Sequence, residues 1–145
     1  MKERKETINI VIHCADTPPE MDIGAKEITD WHKERGFRDI GYHYVIRLDG
    51  TIESGRDVGV IGAHVKGHND DSLGICVVGR GDLTPEQDAN LYELIRLIKR
   101  THTDAEVIGH TDLDNKKTCP NFDVVEWWRT KNERNNDVKQ EVQPR

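Results

Sequence analysis

The segment 109–123, GHTDLDNKKTCPNFD, carries His110, then Lys116 and Lys117 crowded just ahead of Cys119. A second histidine, His13, stands directly behind the β-branched run INIVI (8–12), and His110 itself follows the short apolar run VIG (107–109). Strand ends are rigid platforms that place side chains accurately while leaving them open to a cleft. Two imidazoles and one thiolate make a donor set suited to Zn²⁺. Three protein ligands leave the fourth tetrahedral position to water, the mark of a catalytic site. A structural zinc would want a further Cys or His in a CxxC-like loop, and the sequence has none there. On spacing alone each residue also has a plain alternative: a hydrogen-bonded histidine after a strand, an ordinary loop thiol, a pair of solvated lysines. Beside a metal-held thiolate, however, a lysine is well placed to stabilise a developing oxyanion.

These residues need a scaffold, and the pattern along the chain supplies one. INIVI reads as a central strand. Its alternation places His13 on the face of Val11, with Ile8, Ile10 and Ile12 pointing the other way. After the turn at Pro18 and Pro19, GAKEITDWHKERG reads as a helix with Ile28 and Trp31 on one face and Gly36 at its C-terminal end. YHYVIRLDGTIESGR follows, two extended arms joined at Asp49-Gly50, a strong hairpin signal. SLGICVVG (72–79) is a further strand. Thr84-Pro85-Glu86-Gln87 combines an N-cap, a proline at the first helical position and a capping-box glutamine. The helix it opens runs to about Arg100 with Leu91, Leu94, Ile95 and Ile98 at helical spacing. Strands alternate with helices, yet one pair is antiparallel. The fold class is therefore α/β, a single domain with a central mixed β-sheet flanked by α-helices. The expected organisation is a polar arm at 1–7, the domain at 8–128 and a polar, flexible tail at 129–145.

Bulk properties narrow the function classes. A chain of 145 residues is one domain with a real core. Its net charge of −6 disfavours a nucleic-acid partner, since that affinity comes from clustered Lys and Arg. No run approaches the roughly 20 apolar residues of a membrane helix, and the N-terminus has no signal-peptide core, so synthesis and initial retention in the cytoplasm are expected. Cys14, Cys76 and Cys119 are too few and too widely spaced for a disulfide scaffold. At least one thiol is thus free for metal or catalysis.

In order along the chain, IVIHCADTP, IGYHYVIRLDGTIESGR, IGAHVKGHNDDSLGICVVG, LTPEQ and the stretch from IGH to TCPNFD resemble the zinc-dependent N-acetylmuramoyl-L-alanine amidases. The likeness is greatest to the phage-lysozyme branch, whose fold is shared with peptidoglycan recognition proteins. It runs from about Ile8 to Trp128, and five motifs in order are far more specific than any one. The resemblance implies one zinc ion held by His13, His110 and Cys119. It places the active-site tyrosine on Tyr42 and the catalytic lysine on Lys117 rather than Lys116. It also makes His64 and Asn69, in GAHVKGHND, candidates for substrate contact. Without the resemblance, Tyr42 is a half-buried strand aromatic and the 62–70 stretch a solvated loop.

The chemistry suits those roles. Amide hydrolysis needs an activated water, a polarised carbonyl and a proton for the leaving amine. Zinc acidifies water, Tyr42 could hydrogen-bond the nucleophile or assist proton transfer, and Lys117 could stabilise the oxyanion. No HExxH is present and no glutamate adjoins a ligand, so the usual metalloprotease base is missing. Of the other histidines, His43 reads as packed or outer-sphere, and His32 and His102 as surface residues. Trp31, Trp127 and Trp128 read as core and interface aromatics. The leading expectation is cleavage of the bond between N-acetylmuramic acid and L-alanine by a monomeric phage or prophage endolysin, acting on the wall after release. The alternatives are a cytoplasmic muropeptide-recycling amidase and a non-catalytic peptidoglycan-binding module.

Overall fold

The computed structural model describes the backbone of residues 1–142 and the side chains of residues 1–136. Five strands form one sheet in the order β3-β2-β4-β1-β5. They are β1 (Asn9–Cys14), β2 (Tyr44–Ile46), β3 (Ile52–Ser54), β4 (Ser72–Val77) and β5 (Glu106–Gly109). Only β2 and β3 pair antiparallel; β4 runs parallel to both β1 and β2, and β1 parallel to β5. The mixed sheet expected from the pattern is therefore present.

The parallel strands are covered on both faces, which is why β4 is buried along its whole length. The crossover from β1 to β2 contains α1 (Ala25–Glu34), and the crossover from β4 to β5 contains α2 (Pro85–Lys99). They run in opposite directions along the sheet, so right-handed connections put the two helices on opposite faces. Core packing follows. Ile10, Ile12, Ile75 and Val77 meet Leu91, Leu94, Ile95 and Ile98 of α2 on one face. On the other, Val45 and Cys76 pack with Ile28 of α1, and Val11 and Ile108 with Val65. His13 belongs to this second face, beside Cys76 in the strand register. Ile8 falls outside β1 and is exposed, because the strand begins one residue later.

Local signals mostly hold. Thr84 Oγ1 accepts the Gln87 N–H at 3.1 Å, and Gln87 Oε1 accepts the Thr84 N–H at 3.0 Å, closing the capping box. The Asp49-Gly50 turn is longer than a two-residue hairpin: Arg47 N–H donates to Thr51 O at 2.9 Å across Leu48, Asp49 and Gly50.

The stretch expected as a flexible tail at 129–145 continues α3 (Val124–Val142), and 143–145 lie outside the described residues. Its polar composition hid anchors to α2: Lys131 pairs with Asp88, and Tyr92 Oη donates to Asn132 Oδ1 at 3.1 Å. His32, read as a surface residue, is buried on α1, whereas Trp31 is 39% exposed. The reason is a helical offset: the inward face runs from Ile28 to His32, one full i,i+4 step, not to Trp31.

Arg56 had no sequence signal and is buried. Its guanidinium donates to Ile40 O at 2.8 Å, Ile61 O at 3.0 Å and Asp39 O at 3.2 Å. It therefore ties the segment before Tyr42 to the segment before His64. Replacing Arg56 with alanine leaves those carbonyls without donors. Urea unfolding should show a loss of about 2–3 kcal/mol, the scale for charge-assisted hydrogen bonds to buried partners.

Candidate active site

The carboxyl ends of β1 and β5 lie side by side, and His13 and His110 leave the sheet there. Crevices outside the carboxyl ends of parallel strands are where open α/β sheets bind ligands. A 3₁₀ turn (His110–Asp112) turns the chain as β5 ends, with the Gly109 N–H donating to Asp112 Oδ2 at 2.8 Å. The loop that follows returns Cys119 to the site. Thr111 N–H donates to Cys119 O at 2.9 Å, and Cys14 N–H donates to Cys119 Sγ at 3.0 Å. One ligand-type atom each from His13, His110 and Cys119 lies within 4.8 Å of the others. Residues far apart in sequence thus converge on a space the size of a metal shell.

The donor set fits a zinc ion. Burial, and then the neighbouring His64 and His110, hold the His13 pKa well below its ordinary value. Burial also lowers His110. Both imidazoles are therefore neutral and have a lone pair to give. Cys119 Sγ sits against the Cys14 backbone, accepting its N–H and lying 3.8 Å from its carbonyl oxygen. Without a metal, the neighbouring thiol lowers Cys14 to about 7, while Cys14 and burial push the Cys119 thiol up. A bound cation would reverse that order by displacing the proton from Cys119, whose Sγ already has the Cys14 N–H as a donor. Two neutral imidazoles and one thiolate would leave Zn²⁺ a net positive charge.

Tyr42 stands over the cluster, its ring centroid 5.0 Å from that of His13 and 5.3 Å from that of His32. Burial, reinforced by the nearby sulfurs, raises its pKa well above the ordinary value. It remains a neutral phenol, a hydrogen-bond donor rather than a base at neutral pH. Lys117, and not Lys116, lines the cavity of about 250 Å³ in front of the cluster. The same cavity is lined by His32, Arg35 and Phe37, which the sequence reading did not place there. His32 Nδ1 accepts the Gly41 N–H at 2.8 Å, so its other nitrogen carries the proton. Arg35 and Phe37 reach into an adjoining cavity of about 360 Å³ with Lys66 and Asn69, so the floor extends into a cationic groove.

His64 and Asn69, read as candidate substrate contacts, line this groove, with Asn69 Oδ1 and both His64 ring nitrogens already engaged. Asn69 Oδ1 accepts the N–H groups of His64 and Val65 at 2.8 and 2.9 Å. His64 is 8% exposed, its Nδ1 2.9 Å from His13 Nε2. His43 is fully buried and packed, as expected, between the Gly74 N–H and the Val60 carbonyl.

Burial lowers His43 to about 4 and His64 to about 3, from 6.5. Below pH 6.5 the unfolded chain binds these protons and the folded chain does not, so stability falls with falling pH. The contribution is complete above 6.5 and is lost progressively down to the folded values. The urea midpoint of metal-free protein should therefore drop between pH 7 and pH 5. An unchanged midpoint would contradict the neutral assignment.

A mixed α/β sheet thus carries, at its strand ends and facing a groove, a His-His-Cys cluster that could hold a metal ion. The family model described as N-acetylmuramoyl-L-alanine amidase matches residues 4–122, and the chain belongs to that family. The endolysin of Klebsiella phage KP32 is 44% identical over 139 residues, covering 90% of this chain and 91% of the relative. The solved N-acetylmuramoyl-L-alanine amidase LysC from Clostridium intestinale superposes with a TM-score of 0.79 at 29% identity, covering 91% and 93% of the two chains. Drosophila PGRP-LB superposes with a TM-score of 0.69 at 27% identity, covering 83% and 81%. The chain is thus an amidase with the fold shared by these enzymes and by peptidoglycan recognition proteins.

Proposed function

We propose that this amidase hydrolyses the bond between the lactyl group of N-acetylmuramic acid and L-alanine in peptidoglycan, with one Zn²⁺ held by His13, His110 and Cys119. The observation that carries the metal assignment is the convergence of those three donors at the strand ends. When bound, the ion supplies Lewis acidity, polarising the amide carbonyl and lowering the pKa of water towards about 7.

The chain's own residues do the rest. The Lys117 ammonium faces the cavity and balances negative charge as the carbonyl becomes tetrahedral. The Tyr42 phenol, held protonated, donates a hydrogen bond to the attacking or leaving atom. Arg35 and Lys66 give the groove cations for the carboxylates of a stem peptide. Among the described residues no helix is long and apolar enough to cross a membrane. The phage endolysin relative supports a lysis enzyme, which in this reading acts as a monomer and reaches the wall once the inner membrane is breached. Nucleic acid is not among the partners of this reading.

Chelation tests the metal requirement. Incubation with 1,10-phenanthroline should abolish peptide release, and one equivalent of zinc should restore it. Full activity in protein verified as metal-free would contradict the proposal.

A further inference from the structure

His64 has a hydrogen-bond arrangement that the amide chemistry itself does not require. Its two ring nitrogens face different partners: Nδ1 lies 2.9 Å from His13 Nε2, and Nε2 lies 3.2 Å from Ser72 Oγ. Ser72 Oγ lies in turn 2.7 Å from the carbonyl of His68. A carbonyl oxygen can only accept, so the single Ser72 proton is committed to it. Ser72 Oγ therefore accepts from His64, which places the His64 proton on Nε2. His64 is buried and no carboxylate is among its partners, so its ring is neutral and Nδ1 keeps a lone pair. That lone pair accepts from His13, placing the His13 proton on Nε2. His13 Nδ1 is left bare.

The surroundings are built around this ring. A Cβ on Gly74 would lie 2.6 Å from it, and one on Gly62 would lie 2.8 Å from it, so glycine at both positions leaves the ring room. Asn69 fixes the backbone of His64 from the other side. The chain of bonds ends on a backbone carbonyl, an acceptor that cannot reverse, so it has a fixed direction.

We propose that His64, oriented by Ser72 and the His68 carbonyl, is a positioning residue that fixes the tautomer of His13 and presents His13 Nδ1 to the metal. The proposal rests on the zinc reading of His13, His110 and Cys119. Metal-bound histidines commonly donate their other ring N–H to a carboxylate, a carbonyl or water. Here a second imidazole takes that part. His64 is thus removed from direct substrate binding and acts through His13.

Long-range ¹H–¹⁵N correlation spectra of ¹⁵N-histidine-labelled, metal-stripped protein read the tautomers directly. Both His13 and His64 should be protonated on Nε2. A His13 ring protonated on Nδ1, or an even mixture, would overturn the proposal. Zinc affinity gives a second reading, by competition with a chromophoric chelator. His64→Leu should raise the zinc Kd roughly 10–100-fold, the scale of outer-sphere losses. His64→Asn, whose amide oxygen can accept where Nδ1 did, should recover most of it. Parental affinity in His64→Leu, or no recovery in a folded His64→Asn, would contradict the assignment. If His64→Leu fails to fold, Ser72→Ala substitutes for it: the His13 tautomer should become mixed, and an unchanged single tautomer would refute the relay. None of these readouts uses amidase activity, so they fail or succeed apart from the proposed reaction.

Discussion

Cys119→Ala should leave a folded protein that neither retains zinc nor releases peptide. Cys119 is half-buried in a loop, not part of the packed sheet, so its loss costs the fold little. Its sulfur is nonetheless the one donor in the cluster that would bind a metal as an anion, and it accepts the Cys14 N–H. Removing an outer-sphere partner weakens metal binding by about 10–100-fold, and removing one of three ligands should weaken it further. Metal analysis after gel filtration, with circular dichroism as the folding control, checks this. A variant that kept stoichiometric zinc and full turnover would show that the ligand set is wrong.

Lys117→Ala should separate chemistry from metal binding. The lysine lines the cavity and is exposed, and it makes none of the contacts that hold His110 or Cys119. Zinc content should therefore match the parent, while kcat falls about 10²–10³-fold, the loss seen when one oxyanion-stabilising donor is removed. The effect should fall on kcat more than on KM, because charge develops on the oxygen only as the transition state forms. Loss of zinc in this variant would make the lysine structural. Lys116→Ala is the internal control and should change little.

The parts of this arrangement that were legible in the sequence share a cause. The runs ending in His13 and His110 are short, β-branched and bounded, so their period and their ends stand out. A cysteine is rare enough in this chain that its position draws notice, and the capping box at Thr84 is a local code. What stayed hidden depends on closure between distant segments. His64 sits in a glycine-flanked loop, and its role comes only from Ser72 and His13 meeting it in space. Arg56 binds carbonyls from separate segments, and no spacing rule announces that. His32 was misplaced by one helical position, which moved Trp31 inward on paper and His32 outward. In α3, the acidic and basic residues that looked like a solvated tail pair along the helix, as Arg129 does with Glu126 and Glu133, and also reach back to α2.

The His64 relay also bears on how the site assembles. With His13 Nδ1 already bare and aimed, zinc needs no tautomer change on arrival. At Cys119 the backbone donor is likewise in place, and the thiol has only its proton to lose. The cluster is pre-organised by hydrogen bonds that belong to the fold.

The most direct test of the central claim is mass spectrometry of purified peptidoglycan digested by the zinc-loaded protein. Stem peptides with a free N-terminal L-alanine, released from intact glycan strands and only while the metal is bound, are the predicted products. Cleaved glycan strands, peptides cut within the stem, or wall binding with no peptide released would each contradict it.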